Sequence, residues 1–437
     1  MFKKNTFLFN IFFLILFSNL FFGWGFQILN IASIPINYIV LIFFLLILPL
    51  RENIIKLSII GFTSIFSIFI LFNSVKLIFS ISNYGIISIR DASFFIDSLF
   101  ILISFSFFSQ SDNLHKIKKI FDIFFVALIF YIFVWMYEDF FLKFSPIVTS
   151  PTGNQTNIFF NFSTLAFLSM WFSFYKIIIK EDKNNNFFNN VIFIFLILFS
   201  IIIFQRRFIY IAIICIFIAS IILNKTLSIR YFSYFLLGFL FISTFSFFGI
   251  SFEGKLSRVT NIMFFIDHLG SAIPGYKYEN EIFDTTRGTV QTRMFFWQEL
   301  IRNLTSTPYN LFFGKSFGLP LVNFIGQGGI VIREPHNMYL SIFGRGGLIG
   351  LFIYIILNIK LINIFFKSYT QSKSDKNSLF FKIILFIGIY ILSMYNMGIS
   401  DSILTNSYFS ITLNILWGLV LAIYYNQNYN EKKYKKI

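Results

Sequence analysis

Charged residues are scarce in this sequence: Asp, Glu, Lys and Arg make up 12% of its 437 residues, whereas hydrophobic residues make up 57%. Soluble globular domains carry about 25% charged residues, so this composition excludes a soluble fold of this length. Apolar runs long enough to cross a bilayer recur from end to end, and such runs form membrane-spanning α-helices. The sequence therefore predicts an all-α, polytopic membrane protein.

Cysteine and histidine are also nearly absent. The one cysteine, Cys215, lies in an apolar run, which excludes an intramolecular disulfide and favours a buried, unreactive thiol. The histidines number three, and no pair of His, Cys, Asp or Glu residues has the spacing of a zinc site. The paired acidic motif with which many lipid-linked-sugar transferases bind a metal is missing, and Glu138-Asp139 is the nearest acidic pair. We therefore expect neither a metal nor another cofactor.

About twelve membrane helices are predicted from the apolar runs. They lie at about 7–22, 31–50, 57–73, 92–108, 120–136, 157–179, 190–204, 208–223, 231–250, 338–366, 380–399 and 408–425. The run 338–366 exceeds one span, so its first part is expected to lie at the interface or to tilt. The predicted layout is nine helices in 1–250, a large and partly helical outer loop at 251–337, three helices in 338–425 and a cytoplasmic tail at 426–437.

Lysine and arginine are distributed unequally between the predicted connections. With the N-terminus in the cytoplasm, the inner connections collect most lysines, as the positive-inside rule requires, and the C-terminus is cytoplasmic as well. The outer connections collect Arg90, Arg206, Arg207, Arg258, Arg287, Arg293, Arg302, Arg333 and Arg345. Arginine holds phosphate or carboxylate through a bidentate fork, so the outer face is predicted to bind anions; general contact with lipid head groups is the alternative. Despite the formal charge of +16, this distribution argues against a nucleic-acid partner.

The stretch from Arg333 to Gly350 joins the large outer loop to a membrane helix. It holds Arg333, His336 and Arg345 within one short run. A histidine at the water end of a membrane helix, flanked by arginines, is a candidate acid or base beside an anion site. The alternative is an interfacial histidine that caps a helix among arginines anchored at the membrane surface.

Further candidate anion contacts lie earlier in the chain. Gln205-Arg206-Arg207 is the tip between two apolar segments, where the alternatives are anion binding and interfacial anchoring. A helix is predicted at roughly 291–303, with Arg293 and Trp297 on one face. A glycine-containing turn follows it, and Lys315 in this turn is a candidate phosphate contact, although the spacing of a nucleotide-binding P-loop is absent.

These residues resemble the O-antigen ligase and O-antigen polymerase superfamily of bacterial surface-polysaccharide enzymes. The similarity rests on His336-Asn337 followed by Gly347-Leu348-Ile349-Gly350, on Arg293 and Trp297 followed by Gly314 and Gly318, and on the Arg206-Arg207 tip. It covers about 190–400 well and the first half only in topology.

The resemblance implies a class-C-like membrane glycosyltransferase, active without a metal on the periplasmic face of the bacterial inner membrane. Its donor would be a glycan on undecaprenyl diphosphate, and an acceptor sugar hydroxyl would displace the lipid diphosphate with inversion. Carried over residue by residue, His336 would be the general base, and Arg206 or Arg207, together with Arg293, would hold the diphosphate. Supporting roles would fall to Arg333, Asn337, Arg345, Trp297 and Lys315.

Three functions are consistent with the sequence. We expect a polymerase of repeat units, because such genes are numerous and divergent across polysaccharide loci; the alternative within the family is a ligase that transfers the chain to lipid A-core. A flippase for the lipid-linked sugar is the alternative of another class, although it predicts charges at mid-membrane depth and repeat symmetry. Expected partners are the lipid-linked donor, a glycan acceptor, membrane lipid, and the chain-length regulator and flippase of the same pathway.

Overall fold

The protein is almost entirely helical in a computed structural model, with four two-stranded antiparallel hairpins among its described residues. The structure describes residues 2–31, 34–110, 113, 116–149, 155–159, 165–179, 186–204, 207–247, 252–253, 259–260, 284–322, 324–325, 331–373, 378–399, 404 and 406–430. This agrees with the all-α class predicted from composition.

In the described part of the chain, nineteen α-helices and eight short β-strands follow one another. The helices of the first half are α1 (Phe2–Phe22), α2 (Trp24–Gln27), α3 (Ile36–Ile47), α4 (Leu50–Ile59), α5 (Thr63–Tyr84), α6 (Ile87–Asp91), α7 (Ser93–Ile96), α8 (Phe100–Phe108), α9 (Lys116–Met136), α10 (Glu138–Phe141), α11 (Leu165–Ile179) and α12 (Asn186–Phe204). The second half has α13 (Arg207–Leu223), α14 (Lys225–Phe247), α15 (Asp284–Thr305), α16 (Pro308–Phe313), α17 (Met338–Lys373), α18 (Leu379–Met397) and α19 (Ser407–Tyr425). The hairpins are β1 (Asn30–Ile31) with β2 (Ile34–Pro35), β3 (Ile147–Thr149) with β4 (Gln155–Asn157), β5 (Phe252–Glu253) with β6 (Val259–Thr260), and β7 (Phe324–Ile325) with β8 (Val331–Ile332).

Each apolar run predicted to be helical contains a helix or a group of helices. The run 31–50 differs most from its prediction, because it begins with the β1–β2 hairpin and its helix ends before Pro49. Helices α3 and α4 meet there at an angle of 87°. Proline lacks a backbone N–H and disfavours helical geometry in the residue before it, and Leu48 is accordingly extended.

Several helices suit a membrane by length and composition. Among the described residues, α5, α17, α18 and the segment Ser407–Tyr429 are long and apolar enough to cross it, and the bent pair α3–α4 makes a fifth if it is one span. Shorter apolar helices lie at Phe7–Phe22, Ser93–Phe108, Leu165–Tyr175, Asn190–Phe199 and Ala212–Leu223. The chain is a helical membrane protein; the number of twelve spans and the four-part layout stay predictions.

The chain divides into two compact units that do not follow chain order. One comprises Met1–Thr164, Leu300–Ile387 and Gly398–Ile437, and the other comprises Leu165–Glu299 and Gly388–Met397. The boundary between Glu299 and Leu300 falls inside α15.

In the first unit, α19 is buried on nearly all sides, as expected for a helix that is apolar all round. It packs against α8, where the Ser104 hydroxyl donates to the carbonyl of Ile415 at 2.6 Å. A Cβ on Gly418 would lie 2.5 Å from the carbonyl oxygen of Ile101, so only glycine allows this close approach. In the second unit, Trp171 of α11 packs against Tyr390, with ring centroids 4.5 Å apart.

Helices α5 and α17 run antiparallel in the first unit, which separates two groups of basic residues. Near one end, a Cβ on Gly61 would lie 3.1 Å from Nζ of Lys360. Toward the other end, Lys76 donates to the carbonyl of Arg345. The predicted inner lysine, Lys360, and the predicted outer arginine, Arg345, thus lie at different levels of this helix pair, in the order that the predicted topology requires. Which membrane face each end occupies stays a prediction.

Candidate functional site

His336 adopts an unusual backbone conformation immediately before α17. Its φ is 53°, and it is the one non-glycine residue with a positive φ in the described part of the chain. The left-handed region costs an L-residue with a Cβ roughly 1–2 kcal/mol. The side chain is half-buried. Such strain persists only where neighbouring contacts enforce it.

The contacts that follow His336 anchor the start of α17. The Asn337 side chain accepts a hydrogen bond from the backbone N–H of Leu340 at 3.0 Å, as an N-cap residue does. Its amide also donates to the carbonyl of Ile399 at 2.8 Å, and the N–H of Met338 donates to the carbonyl of Gly398 at 2.8 Å. Asn337 is 7% exposed, so the first turn of α17 is tied to the chain after α18.

The two residues before Pro335, Arg333 and Glu334, make ionic contacts as well as backbone hydrogen bonds. The carbonyl of Arg333 accepts from the N–H of Leu321 at 2.9 Å, and its guanidinium donates to the carbonyl of Gly318 at 2.7 Å. Glu334 accepts from Arg345 at 2.9 Å through one oxygen and from the hydroxyl of Ser341 at 2.9 Å through the other. The residues on both sides of His336 are therefore fixed.

Asp91, at the end of α6, lies at the centre of these ionic contacts. One carboxylate oxygen is 2.9 Å from Nη2 of Arg333 and 3.0 Å from Nη2 of Arg345, and it accepts from the N–H of Gly318 at 3.0 Å. The side chains of Asp91 and Arg345 are only 3% and 2% exposed. We name Asp91, Arg333, Glu334 and Arg345 the Asp91 cluster. It balances the buried guanidinium group of Arg345 and the partly buried one of Arg333 with two carboxylates, as buried charges require.

The supporting cations predicted from the sequence are thus engaged with the protein itself. Besides its carboxylate partners, Arg345 donates through Nη1 to the carbonyl of Ser316 at 3.1 Å. The Lys315 ammonium lies 3.4 and 3.3 Å from the carbonyl oxygens of Pro320 and Leu321. These contacts favour a role in holding the segment around His336.

Helix α17 is broken at Gly347, which has φ 62° and ψ −162°. The break divides the predicted run 338–366, which exceeds one span and whose first part was expected to lie at the interface or to tilt. A Cβ on Gly347 would lie 2.3 Å from the backbone carbon of Phe312, and one on Gly314 would lie 2.6 Å from the nitrogen of Gly347. The two glycines therefore let α16 pack directly against the break, backbone against backbone.

Lys76 stabilises this junction and was missed by the sequence reasoning. The predicted helix 57–73 left it in an outer connection, whereas α5 extends to Tyr84 and places it near the middle of that helix. Its ammonium donates to the carbonyls of Phe313 and Arg345, which belong to the ends of two helical segments. A cation suits such carbonyl-rich helix ends.

Asp91 was missed as well, although one signal could have pointed to it. The arginines predicted on the outer face require counter-ions if any of them is buried. Asp91 directly follows one of them, Arg90, in the same predicted connection. Its partners lie far away in the chain, and no spacing rule reveals them.

The second unit carries the remaining described candidates. Helix α15 begins at Asp284 and ends at Thr305, so it is longer than the predicted 291–303. Arg293 and Trp297 are half-buried, and Phe296 is buried beside them. Helix α12 ends at Phe204 and α13 begins at Arg207, as expected for the predicted tip. Arg206 lies outside the described residues, and the side chain of Arg207 does as well.

No group of three or more His, Cys, Asp or Glu side chains that could hold a metal is found among the residues that the structure describes. Arg345, the deeply buried cation of the site, has its acceptors within the protein. His336, which is half-buried, lies between Arg333 and Arg345 in the chain. The arrangement can therefore present an imidazole in a fixed position, at the start of a membrane helix.

Comparison with known proteins gives one positive result. No curated protein and no solved structure matches the chain. Residues 192–355 match the family model described as O-antigen ligase. This region contains Arg206, Arg207, Arg293, His336 and Arg345 but excludes Lys76 and Asp91. Residues 192–355 therefore resemble an O-antigen ligase domain, and this match supports the similarity to the O-antigen ligase and polymerase superfamily.

Proposed function

We propose that the protein polymerises oligosaccharide repeat units linked to undecaprenyl diphosphate, at the periplasmic face of the bacterial inner membrane. The observation that carries this proposal is the state of His336, which is half-buried, has a left-handed backbone and is held by contacts on both sides. Backbone strain that the surroundings enforce is typical of functional sites. His336 also lies within the region that matches the family.

His336 is the general base in this proposal. The acceptor sugar hydroxyl attacks the anomeric carbon of the donor, its oxygen forms the new glycosidic bond, and its proton passes to the imidazole. The bond between the anomeric carbon and the phosphate oxygen breaks, and undecaprenyl diphosphate leaves. The configuration of the anomeric carbon is inverted. An imidazole suits this proton transfer because it accepts a proton near neutral pH.

The departing diphosphate requires positive charge, and Arg293 with Arg206 or Arg207 supplies it. Guanidinium groups stabilise the negative charge that develops on the leaving group, and their fork matches phosphate oxygens. This division of roles follows from the contacts of the other arginines. Arg333 and Arg345 are already paired with Asp91 and Glu334, so they position the base and leave the diphosphate to arginines elsewhere.

Ligation to lipid A-core is the second candidate function, and the family description favours it, because the matching model is named for O-antigen ligase. The chemistry at His336 is the same in both reactions, since each displaces lipid diphosphate with a sugar hydroxyl. The two differ only in the acceptor.

A purified assay with lipid-linked repeat units tests the proposal. Wild-type protein is expected to form products of several repeat units. His336→Ala and Arg293→Ala are expected to reduce the rate by 100-fold or more, on the order of the contribution of a general base. Arg302→Ala, at an exposed position of the same helix as Arg293, is the matched control and is expected to retain most activity.

Full polymer synthesis by His336→Ala, at normal protein level, would contradict a catalytic role for this histidine and favour transport of the lipid-linked sugar. Adding lipid A-core to the same assay separates the two glycosyl transfers. A polymerase extends lipid-linked chains without it, whereas a ligase forms product only when it is present.

A further inference from the structure

Helix α16 lies beside the middle of α5. Phe313, its last residue, accepts a hydrogen bond from the Lys76 ammonium. Because an α-helix rises 1.5 Å per residue, Lys76 lies about 12 Å before the end of α5 at Tyr84. Helix α5 is itself long and apolar enough to cross a membrane. The end of α16 is therefore at a level well inside the span.

A second set of contacts places α16 at the same level along α5, and these contacts do not depend on a long side chain. The backbone of Phe312 touches Gly347, and a Cβ on Gly350 would lie 3.1 Å from the ring of Phe72. Phe72 precedes Tyr84 by about 18 Å along α5. Beyond α16 the chain returns toward the end of α5, because the N–H of Phe317 donates to the Ser80 hydroxyl and Gly318 contacts Tyr84.

The segment 308–318 has both buried and exposed apolar side chains. Phe317 is fully buried against Phe94 and Phe95. On the opposite side, Tyr309, Phe312 and Phe313 are 65%, 47% and 41% exposed. The neighbouring spans also present exposed apolar residues, namely Leu71, Val75, Ile78 and Phe79 of α5 and Leu348 and Phe352 of α17.

We propose that residues 308–318 form a re-entrant wedge that enters the membrane beside α5, with Tyr309, Phe312 and Phe313 in contact with lipid hydrocarbon. At this depth a helix end is tolerated only if its free carbonyls find partners. The Lys76 ammonium supplies one, in the manner of intramembrane lysines, which face the protein and pair with backbone carbonyls. The large outer loop is thus partly a membrane element, which the sequence did not predict.

The placement of the wedge has a consequence for the loop that carries His336. Lys315 N–H donates to the carbonyl of Gly344 at 2.8 Å, and Arg345 binds the carbonyl of Ser316. The wedge is therefore a direct support of the segment 333–345, and membrane lipid is a direct neighbour of that support. This inference is independent of the reaction proposed above.

Spin labelling of single cysteines in lipid nanodiscs tests the wedge. The full-length chain with Cys215→Ser is the background, and the label is placed at Phe312→Cys. Leu71→Cys, on the exposed side of α5 near its middle, is the lipid-facing control, and Asn83→Cys, exposed at the end of α5, is the water-facing control. Collision rates with oxygen, which partitions into lipid, and with a water-soluble nickel chelate are measured at each position.

We expect Phe312→Cys to match Leu71→Cys, with at least several-fold more collisions with oxygen than with the chelate. A label that matches Asn83→Cys overturns the proposal, and so does one that neither reagent reaches, because that result means burial in protein. Tyr309→Cys, with the largest exposure in α16, provides a second position if Phe312→Cys does not fold as a monodisperse particle.

Discussion

At His336 the backbone conformation and the proposed chemistry each restrict which residue can occupy the position. The backbone requires a residue that tolerates positive φ, and among non-glycine residues Asn, Asp and His adopt it most readily. The chemistry proposed for the site requires an imidazole. Both demands are met together only by histidine, whereas either can be met alone by another residue.

Two substitutions at His336 are therefore expected to differ in their effect on stability, although both abolish activity. The free energy of unfolding of His336→Asn is expected to lie within about 0.5 kcal/mol of the wild-type value. That of His336→Val is expected to be roughly 1–2 kcal/mol lower, because a β-branched side chain is strained in the left-handed region. Both lose the contacts of the imidazole, so the difference between them reports the backbone. Thermal unfolding of the purified proteins measures the stability, and equal midpoints for the two variants would contradict backbone strain at this residue.

The junction of α16 with α17 shows how element ends are accommodated inside an apolar region. Gly347 ends the first segment of α17, and the close approach of α16 uses the space that a Cβ would fill. Lys76 then satisfies carbonyls that the two helix ends leave free. The break at Gly347, the close packing of α16 against it and the Lys76 ammonium thus stabilise the same junction of α5, α16 and α17.

Gly347→Ala is expected to disrupt this junction, because its Cβ would meet backbone atoms of Phe312 at 2.3 Å and would also carry the strain of positive φ. Gly85→Ala is the matched control. Gly85 has φ 65°, and a Cβ there has nothing within 4 Å, so its cost is backbone strain alone, about 1 kcal/mol. Thermal unfolding should show Gly347→Ala to be clearly the less stable variant. Equal losses would mean that the contact with Phe312 yields without cost.

The predicted end of α5 was wrong because a charged residue lies inside this helix. Prediction from apolar runs ends a membrane helix at its first charge or polar cluster, and therefore stopped at residue 73 although α5 extends to Tyr84. A charge can stay inside a span when the fold supplies its partners, and the partners of Lys76 come from α16 and α17. The run that became α19 contains no charged residue, and its predicted bounds 408–425 agree with Ser407–Tyr425 to within one residue.

At the scale of the whole molecule, the Asp91 cluster joins the two halves of the first unit. Asp91 and Arg333 are separated by 242 residues, yet their side chains meet in a buried site. The helices and the residues around His336 could be predicted because their signals are local: an apolar period, a motif, a neighbouring arginine. Asp91 could not, since its role depends on residues brought together only by the complete fold.

Removing the carboxylate of Asp91 is expected to be strongly destabilising. Asp91→Ala leaves the buried Arg345 with one carboxylate partner in place of two and Arg333 with none among its contacts described above, and breaking a buried pair costs about 3–5 kcal/mol. Glu334→Gln is expected to cost less, because Asp91 remains. The double variant Asp91→Ala with Arg345→Met should lose less stability than the sum of the two single losses, as expected for coupled partners. Additive losses in thermal unfolding would contradict direct coupling.

The long separation within the Asp91 cluster also orders events during biosynthesis. Ribosomes add on the order of 5–20 residues per second, so Asp91 leaves the ribosome roughly 10 to 50 s before Arg333. Lys76 precedes Arg345 by 269 residues and waits longer still. Both side chains enter the translocation machinery without their final partners, and the segment that carries His336 supplies a partner to each of them. Completion of the fold and completion of the site are therefore the same late step.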